Sequence, residues 1–132
     1  MADRLQLEVV TPQRRVVDLK VDQVELPGML GELGVLPGHT PLLTALGVGT
    51  LTYKGPEGSG VMAIRGGFAE ILSTRVTVLA DVAETPEEID LEAARAQRTE
   101  AEEALKTASA EEAAVLAGDL RLAETRLEIG KG

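Results

Sequence analysis

Eleven of the 14 glycines and five of the 6 prolines precede residue 80, and the stretch beyond it is built mainly of Ala, Glu, Leu and Arg. Glycine interrupts helices through backbone entropy and proline through its missing N–H, so long helices are confined to the second stretch. The first must turn often. Charge divides at the same place: residues 1–80 hold 7 basic and 8 acidic groups (net −1), whereas 81–132 hold 6 and 14 (net −8). Two modules are expected, 1–84 and 85–132, joined near Asp81 to Thr85.

The first module reads as short strands. Leu5, Leu7 and Val9 alternate with Gln6 and Glu8; Leu51 and Tyr53 alternate with Thr50, Thr52 and Lys54; Val76 and Val78 alternate with Arg75 and Thr77. A period of two puts one face of each strand inward and the other outward. Turn signals at Thr11 to Gln13, Pro27-Gly28, Gly55 to Gly60 and Gly66-Gly67 separate them, and the spacing predicts an all-β sandwich of about nine or ten short strands. Charged residues at Asp18, Lys20 and Asp22 suit a strand at the sheet edge, where they oppose pairing with another chain.

Within this module the run Gly31 to Thr44, GELGVLPGHTPLLT, carries three glycines and two prolines. Such a run cannot be helical, and its apolar residues Leu33, Val35 and Leu36 must be packed between turns. A rigid β corner explains most of it. Glu32 and His39, the single histidine, fall outside the apolar set and are the residues free to meet a partner. An acid–base pair of these two would be a third, enzymatic reading, but without Cys or a second His there is no zinc-type ligand spacing and no Cys/His nucleophile pair.

The second module is helical. Thr85-Pro86-Glu87-Glu88 has the pattern of a capping box with proline at the first helical position, and Leu91, Ala94, Arg98, Ala101, Leu105 and Ala108 then form one stripe. Ser109-Ala110-Glu111-Glu112 is a second capping box, so the first helix ends near Thr107 and another begins, striped by Ala113, Leu116, Leu120, Ala123 and Leu127 and ending at Gly130. An antiparallel two-helix hairpin is predicted. Half of each stripe is alanine, whose methyl contributes about 0.8 kcal/mol on burial, against ~1.5–3 for a larger aliphatic side chain. Charge pairs such as Glu102 with Lys106 add ~0.2–0.5 kcal/mol, while Gly118 within the second helix costs ~1 kcal/mol. The hairpin is therefore weakly held, either a static acidic appendage or an element free to leave its docking surface.

Composition narrows the function. Aromatic content is 2% and the net charge is −9, so nucleic acid has neither stacking platforms nor cationic contacts here. No apolar run approaches the ~18 residues of a membrane span, and the acidic chain lacks a basic amphipathic face for lipid. Absence of Cys excludes a disulfide scaffold, and the opening Met1-Ala2-Asp3-Arg4 has no apolar signal core, so a cytoplasmic protein is expected.

The run GELGVLPGHTPLLT, together with Gly66-Gly67-Phe68-Ala69-Glu70 and Val76 to Asp81 (VTVLAD), resembles the ε subunit of the bacterial F-type ATP synthase, called δ in mitochondria. The resemblance extends over the whole chain. It implies a non-catalytic rotor subunit whose β-sandwich binds the γ subunit and sits on the ring of c subunits, coupling ring rotation to the γ shaft. Ring contact would fall on Met29, Leu30, Gly31, Glu32, Leu33 and His39. The resemblance further implies a helical hairpin that moves between a compact state on the sandwich and an extended state reaching the α and β subunits, where it inhibits ATP hydrolysis. Location would be peripheral, on the cytoplasmic face of the bacterial inner membrane.

No cofactor is implied. In some members of the family, ATP stabilises the compact state through a motif of Ile or Leu, Asp, two residues, Arg, Ala. Here the corresponding run is Ile89, Asp90, Leu91, Glu92, Ala93, Ala94, with Ala93 in place of the arginine. A triphosphate would lose charge-assisted hydrogen bonds of roughly 1.5–3 kcal/mol. Were nucleotide to bind, Glu84, Asp90, Arg95 and Arg98 are the expected contacts, and a stand-alone ATP-sensing module folding its hairpin over nucleotide is the alternative function.

Overall fold

A computed structural model describes residues 3–131. Its strands are β1 (Leu5–Val10), β2 (Arg15–Val21), β3 (Gln23–Gly28), β4 (Gly31–Val35), β5 (Leu42–Ala45), β6 (Val48–Lys54), β7 (Gly60–Ile71) and β8 (Arg75–Glu84). A 3-10 turn at Pro86–Glu88 leads into helices α1 (Leu91–Leu105) and α2 (Ala110–Ile129). The strands are ordered β2-β1-β8-β7-β6-β3-β4, with β5 on β7 as well, and β1 with β8 is the one parallel pair described. As expected, β2 is an edge strand and shows Asp18 and Lys20 to solvent.

Eight strands are described where nine or ten were expected, and the long strand β7 supplies the reason. Gly66-Gly67 does not end a strand; it bends one. Residues 60–65 pair with β6 and residues 68–71 with β5 along the same edge, while β8 follows β7 on the other edge without a change of register. The corner lies between Leu46-Gly47 on one side and Asp81 on the other. Gly66 and Gly67 take φ of 67° and 98°, and a Cβ on Gly67 would run into the Leu79 carbonyl and lie 2.9 Å from the Ala80 Cα. Only glycine accepts that backbone at that distance.

Bending lets the two halves of the sheet close over one core. Leu5, Leu7, Leu26, Leu51, Ile64 and Ile71 are fully buried in it, and the period-two readings of β1, β6 and β8 hold. Each such side chain contributes about 1.5–3 kcal/mol.

The helical module starts later than expected. Thr85 and Glu88 do close on each other, the Thr85 N–H donating to the Glu88 carboxylate at 2.9 Å, but the turn they cap is the 3-10 turn alone. Ile89 is extended (φ −85°, ψ 129°) and buried, which takes the chain out of helical geometry. Asp90 then caps α1 by accepting from Ala93 N–H at 3.0 Å. Burial of one isoleucine outweighs the continuity of the helix. Ser109 behaves as the sequence predicts, accepting from Glu112 N–H at 3.2 Å while its own N–H donates to the Glu112 carboxylate at 3.1 Å. Lys106 pairs with Glu103 at 3.1 Å and not with Glu102.

The stripe reading of α2 captures one of its two faces. Ala123 of the stripe is buried, as are Ala94 and Ala101 of α1, the helix packed against it. Leu122, outside the stripe, is buried against Ala63 and Ile89 on the sandwich, with Val48, Leu91 and Ile129 around it. So α2 lies between α1 and the sheet, packed on β6 and β7.

Candidate functional site

The tip of the β3–β4 hairpin is the most exposed apolar point of the sandwich. Met29 and Leu30 are 68% and 104% exposed, yet their backbone is pinned: Met29 N–H donates to the Ala45 carbonyl at 3.0 Å, and Gly47 N–H to the Pro27 carbonyl at 2.8 Å. Gly28 is required, since a Cβ there would lie 2.7 Å from the Gly31 carbonyl oxygen. Pinned backbone therefore presents exposed apolar side chains. Glu32 follows, exposed and opposite Pro27, at a groove whose far side carries Arg121 and Glu128 of α2. Leu33 is half-buried opposite Leu26.

His39 does not belong to this group. From Glu32 the strand runs on to Val35, about 10 Å by the strand rise, before the chain turns, and Gly38 N–H then donates to the Ser73 carbonyl at 2.7 Å. Its ring nitrogen Nδ1 lies 2.6 Å from the Thr40 carbonyl oxygen. Glu32 and His39 sit toward opposite ends of β4, and β5 spans the distance back. As an acid–base pair they are ruled out by this placement.

A second exposed surface emerges only from strand register. Val10 pairs with Leu79, Leu79 with Phe68, and Phe68 with Ala45, which places four apolar residues in one row across β1, β8, β7 and β5. Met29 adjoins the end of the row through its bond to Ala45. Phe68 is 57% and Leu79 55% exposed. This row faces outward and leads to the hairpin tip.

The third feature is a cavity of about 230 Å³ between the sheet and the two helices, lined by Arg65, Gln97, Glu100, Asp119, Leu122 and Arg126 among others. Arg126 donates to Glu84 through both Nε (2.7 Å) and Nη2 (3.0 Å), and through Nη1 to the Gln97 side-chain oxygen at 2.9 Å. Arg65 donates to Asp119 at 2.5 Å. Of the residues expected to meet nucleotide, Glu84 is thus engaged by an arginine of the protein itself, and Asp90 is the cap of α1. Arg95 and Arg98 are on the exposed side of α1 and do not line the cavity. Sequence reasoning missed Arg65, Arg126, Gln97 and Asp119; the spacing of Asp119, Leu122, Arg126 and Ile129 at steps of three and four was the available signal.

Glu88 is also tied to the sandwich. Hydrogen bonding from Thr85, then the Arg14 guanidinium, holds its carboxyl below the usual carboxylate range.

Residues 4–86 match the family described as "ATP synthase, Delta/Epsilon chain, beta-sandwich domain". The chain belongs to the ATP synthase epsilon family. It is 46% identical over 129 residues to the ATP synthase epsilon chain of Solibacter usitatus, covering 96% of both chains. With the epsilon chain of Geotalea uraniireducens the identity is 48% over 112 residues, 85% of this chain and 81% of the relative. The fold is similar to that of a chain in the mitochondrial ATP synthase of Euglena gracilis, with a TM-score of 0.82 at 23% identity, covering 97% of this chain and 81% of that one. A chain of the Tetrahymena thermophila central stalk and c-ring assembly superimposes at a TM-score of 0.66 with 14% identity, over 96% and 98% of the two chains.

Membership in the epsilon family makes this a non-catalytic stalk subunit of the ATP synthase. Among the described residues no helix is long and apolar enough to cross a membrane.

Proposed function

We propose that the sandwich couples the c-ring to the γ subunit, and that the hairpin regulates ATP hydrolysis by leaving the sandwich for the α and β subunits. The observation that carries the coupling role is the exposed row Val10, Leu79, Phe68 and Ala45 running up to Met29. A row of apolar side chains across four hydrogen-bonded strands is a stiff face suited to a long apolar partner, here γ. At its end the pinned tip, Met29 to Leu33, offers apolar side chains and the Glu32 carboxylate to the ring's polar loops. His39, at the other end of β4, lies outside both this tip and the row. Torque transmission needs partners held on rigid elements, which strands supply and the alanine-lined hairpin does not. Anchoring through the ring would place the subunit on the cytoplasmic face of the inner membrane.

Phe68→Glu and Leu79→Glu test this reading. Each would bury an unpaired charge, and binding to a γ–ring complex should fall by at least about tenfold, with the isolated chain still folded. Unchanged binding by both variants overturns the assignment of γ to this row. A cysteine in place of Glu32 should cross-link to a c subunit, whereas one in place of His39 should not. For the regulatory part, complexes lacking residues 86–132 should hydrolyse ATP at least as fast as intact ones.

A further inference from the structure

The face of α2 turned to the sheet carries Gly118, Asp119, Arg121, Leu122, Arg126 and Ile129, so three of its six residues are charged and two are large and apolar. Of the two helices, Leu122 supplies the one buried side chain described in the cluster against the sandwich, beside Ile89 of the preceding turn; Leu91 and Ile129 are partly buried around it. Flanking Leu122 on the same face are the two guanidinium contacts. Arg126 joins three elements, taking Glu84 at the end of β8 by two bonds and Gln97 of α1 by a third. Arg65 of β7 reaches Asp119.

Gly118 belongs to this arrangement. A Cβ at that position would lie 2.9 Å from Arg65 Nη2 and 3.5 Å from its Cζ. The guanidinium lies against the bare backbone of α2, which accounts for a helix-weakening residue in the middle of a helix. A side chain there would make the Arg65 guanidinium shift.

These residues do not fit a bound triphosphate. Both cavity arginines already hold carboxylates, Glu100 adds a further negative charge to the lining, and Ala93 supplies no guanidinium. The volume, about 230 Å³, is also below the roughly 300–1,000 Å³ of ligand pockets.

We propose that the docked hairpin is a self-liganded ionic latch, in which Glu84 and Asp119 occupy Arg126 and Arg65 in place of a bound anion. Docking then responds to ionic strength and not to nucleotide. The proposal rests on the reading of the hairpin as a regulatory element and names what controls it. Screening separates it from an apolar dock: the Debye length falls from ~10 Å at 0.1 M salt to ~3 Å at 1 M, weakening partly exposed ion pairs. Apolar contacts are not weakened by such salts and can be strengthened. A lightly apolar face with two arginine clamps should open as salt rises.

Spin labels on cysteines replacing the exposed Gln13 and Glu102, in the otherwise intact full-length chain, report the distance from sandwich to hairpin. At low salt one docked distance is expected; at about 1 M sodium chloride a second population should appear. Glu84→Gln with Asp119→Asn should raise the open-to-docked ratio about tenfold or more at low salt. Gly118→Ala should raise it by less while increasing helix content. Millimolar ATP should leave the distances unchanged. A distribution that salt and the carboxylate variants both fail to move overturns the latch, as does one that ATP shifts toward the docked distance. Salt acts on the labelled chain without further substitution, so the test survives a variant that misfolds. Because it is read on the isolated chain, its outcome is independent of whether γ and ring binding follow the assignments above.

Discussion

The sandwich and the hairpin are stabilised by different means, and the contrast bears on their use. In the sandwich, large aliphatic side chains from all parts of residues 5–80 enter one core, with Leu5, Leu26, Leu51, Ile64 and Ile71 at 0% exposure. Between the helices the fully buried apolar contacts are Ala94, Ala101 and Ala123, and against the sheet Leu122 stands between two arginine clamps. One body resists deformation because any opening exposes many apolar side chains at once. The other can separate along a surface that water and salt solvate well. On the function proposed above, a subunit that both transmits torque and switches gains from keeping these properties in separate modules.

This comparison breaks first at the core. Ile64→Ala should destabilise the sandwich by about 2–5 kcal/mol, read by chemical denaturation, whereas Leu122→Ala should cost less and act chiefly on docking. Equal losses of global stability would mean that the two modules form one cooperative unit. Next in size is the corner. Gly67→Ala forces a side chain into the Leu79 carbonyl at a φ of 98°, and a loss of about 1–3 kcal/mol should follow in the same assay.

Smaller effects sharpen the hairpin side. Ser109→Ala removes the acceptor for Glu112 N–H and should lower the stability of α2 by about 1 kcal/mol, with no change in the sandwich transition. Hydrogen bonds from the Ser109 hydroxyl and backbone hold the Glu112 carboxyl below its usual range. A lowered folded-state value means that this contribution is complete above the ordinary carboxylate range. It is lost as pH falls through the depressed value. The cap's contribution to helicity should therefore fade below the ordinary carboxylate range, and the Ser109→Ala chain should lose that pH dependence. Smallest of all is removal of residues 86–132, which should leave the sandwich melting transition nearly in place, since its core contains none of them. A large drop would make the hairpin structural.

Much of this was legible in the chain. Period-two alternation marked β1, β6 and β8 because each has one face in the core, and the Ser109 capping box marked the start of α2 because both of its partners are local. Thr85 to Glu88 misled for the opposite reason. Its capping pattern is real, but a helix continues only if the next residues stay helical, and burial of Ile89 depends on the sandwich beyond it. Gly66-Gly67 likewise signals a change of direction without saying whether the strand ends or bends. Register between β7 and β8 decides that, and register is a relation between distant segments.

The exposed surfaces divide the same way. The turns at Pro27-Gly28 and in the run from Gly31 could be read from glycine and proline alone, since those residues restrict the backbone wherever they occur. No local pattern announces the row Val10, Leu79, Phe68, Ala45, because its members are contributed by four strands and meet only through pairing. Arg126 with Glu84 and Arg65 with Asp119 were equally hidden, lying 42 and 54 residues apart in the chain. By itself the sequence determined the two modules, the position of the hairpin turn and its weak alanine seam, all of which follow from local backbone preference and side-chain size. Only the tertiary structure decided which charges meet and which apolar residues remain outside, because electrostatic and packing energies depend on distances in space that the order of residues does not contain.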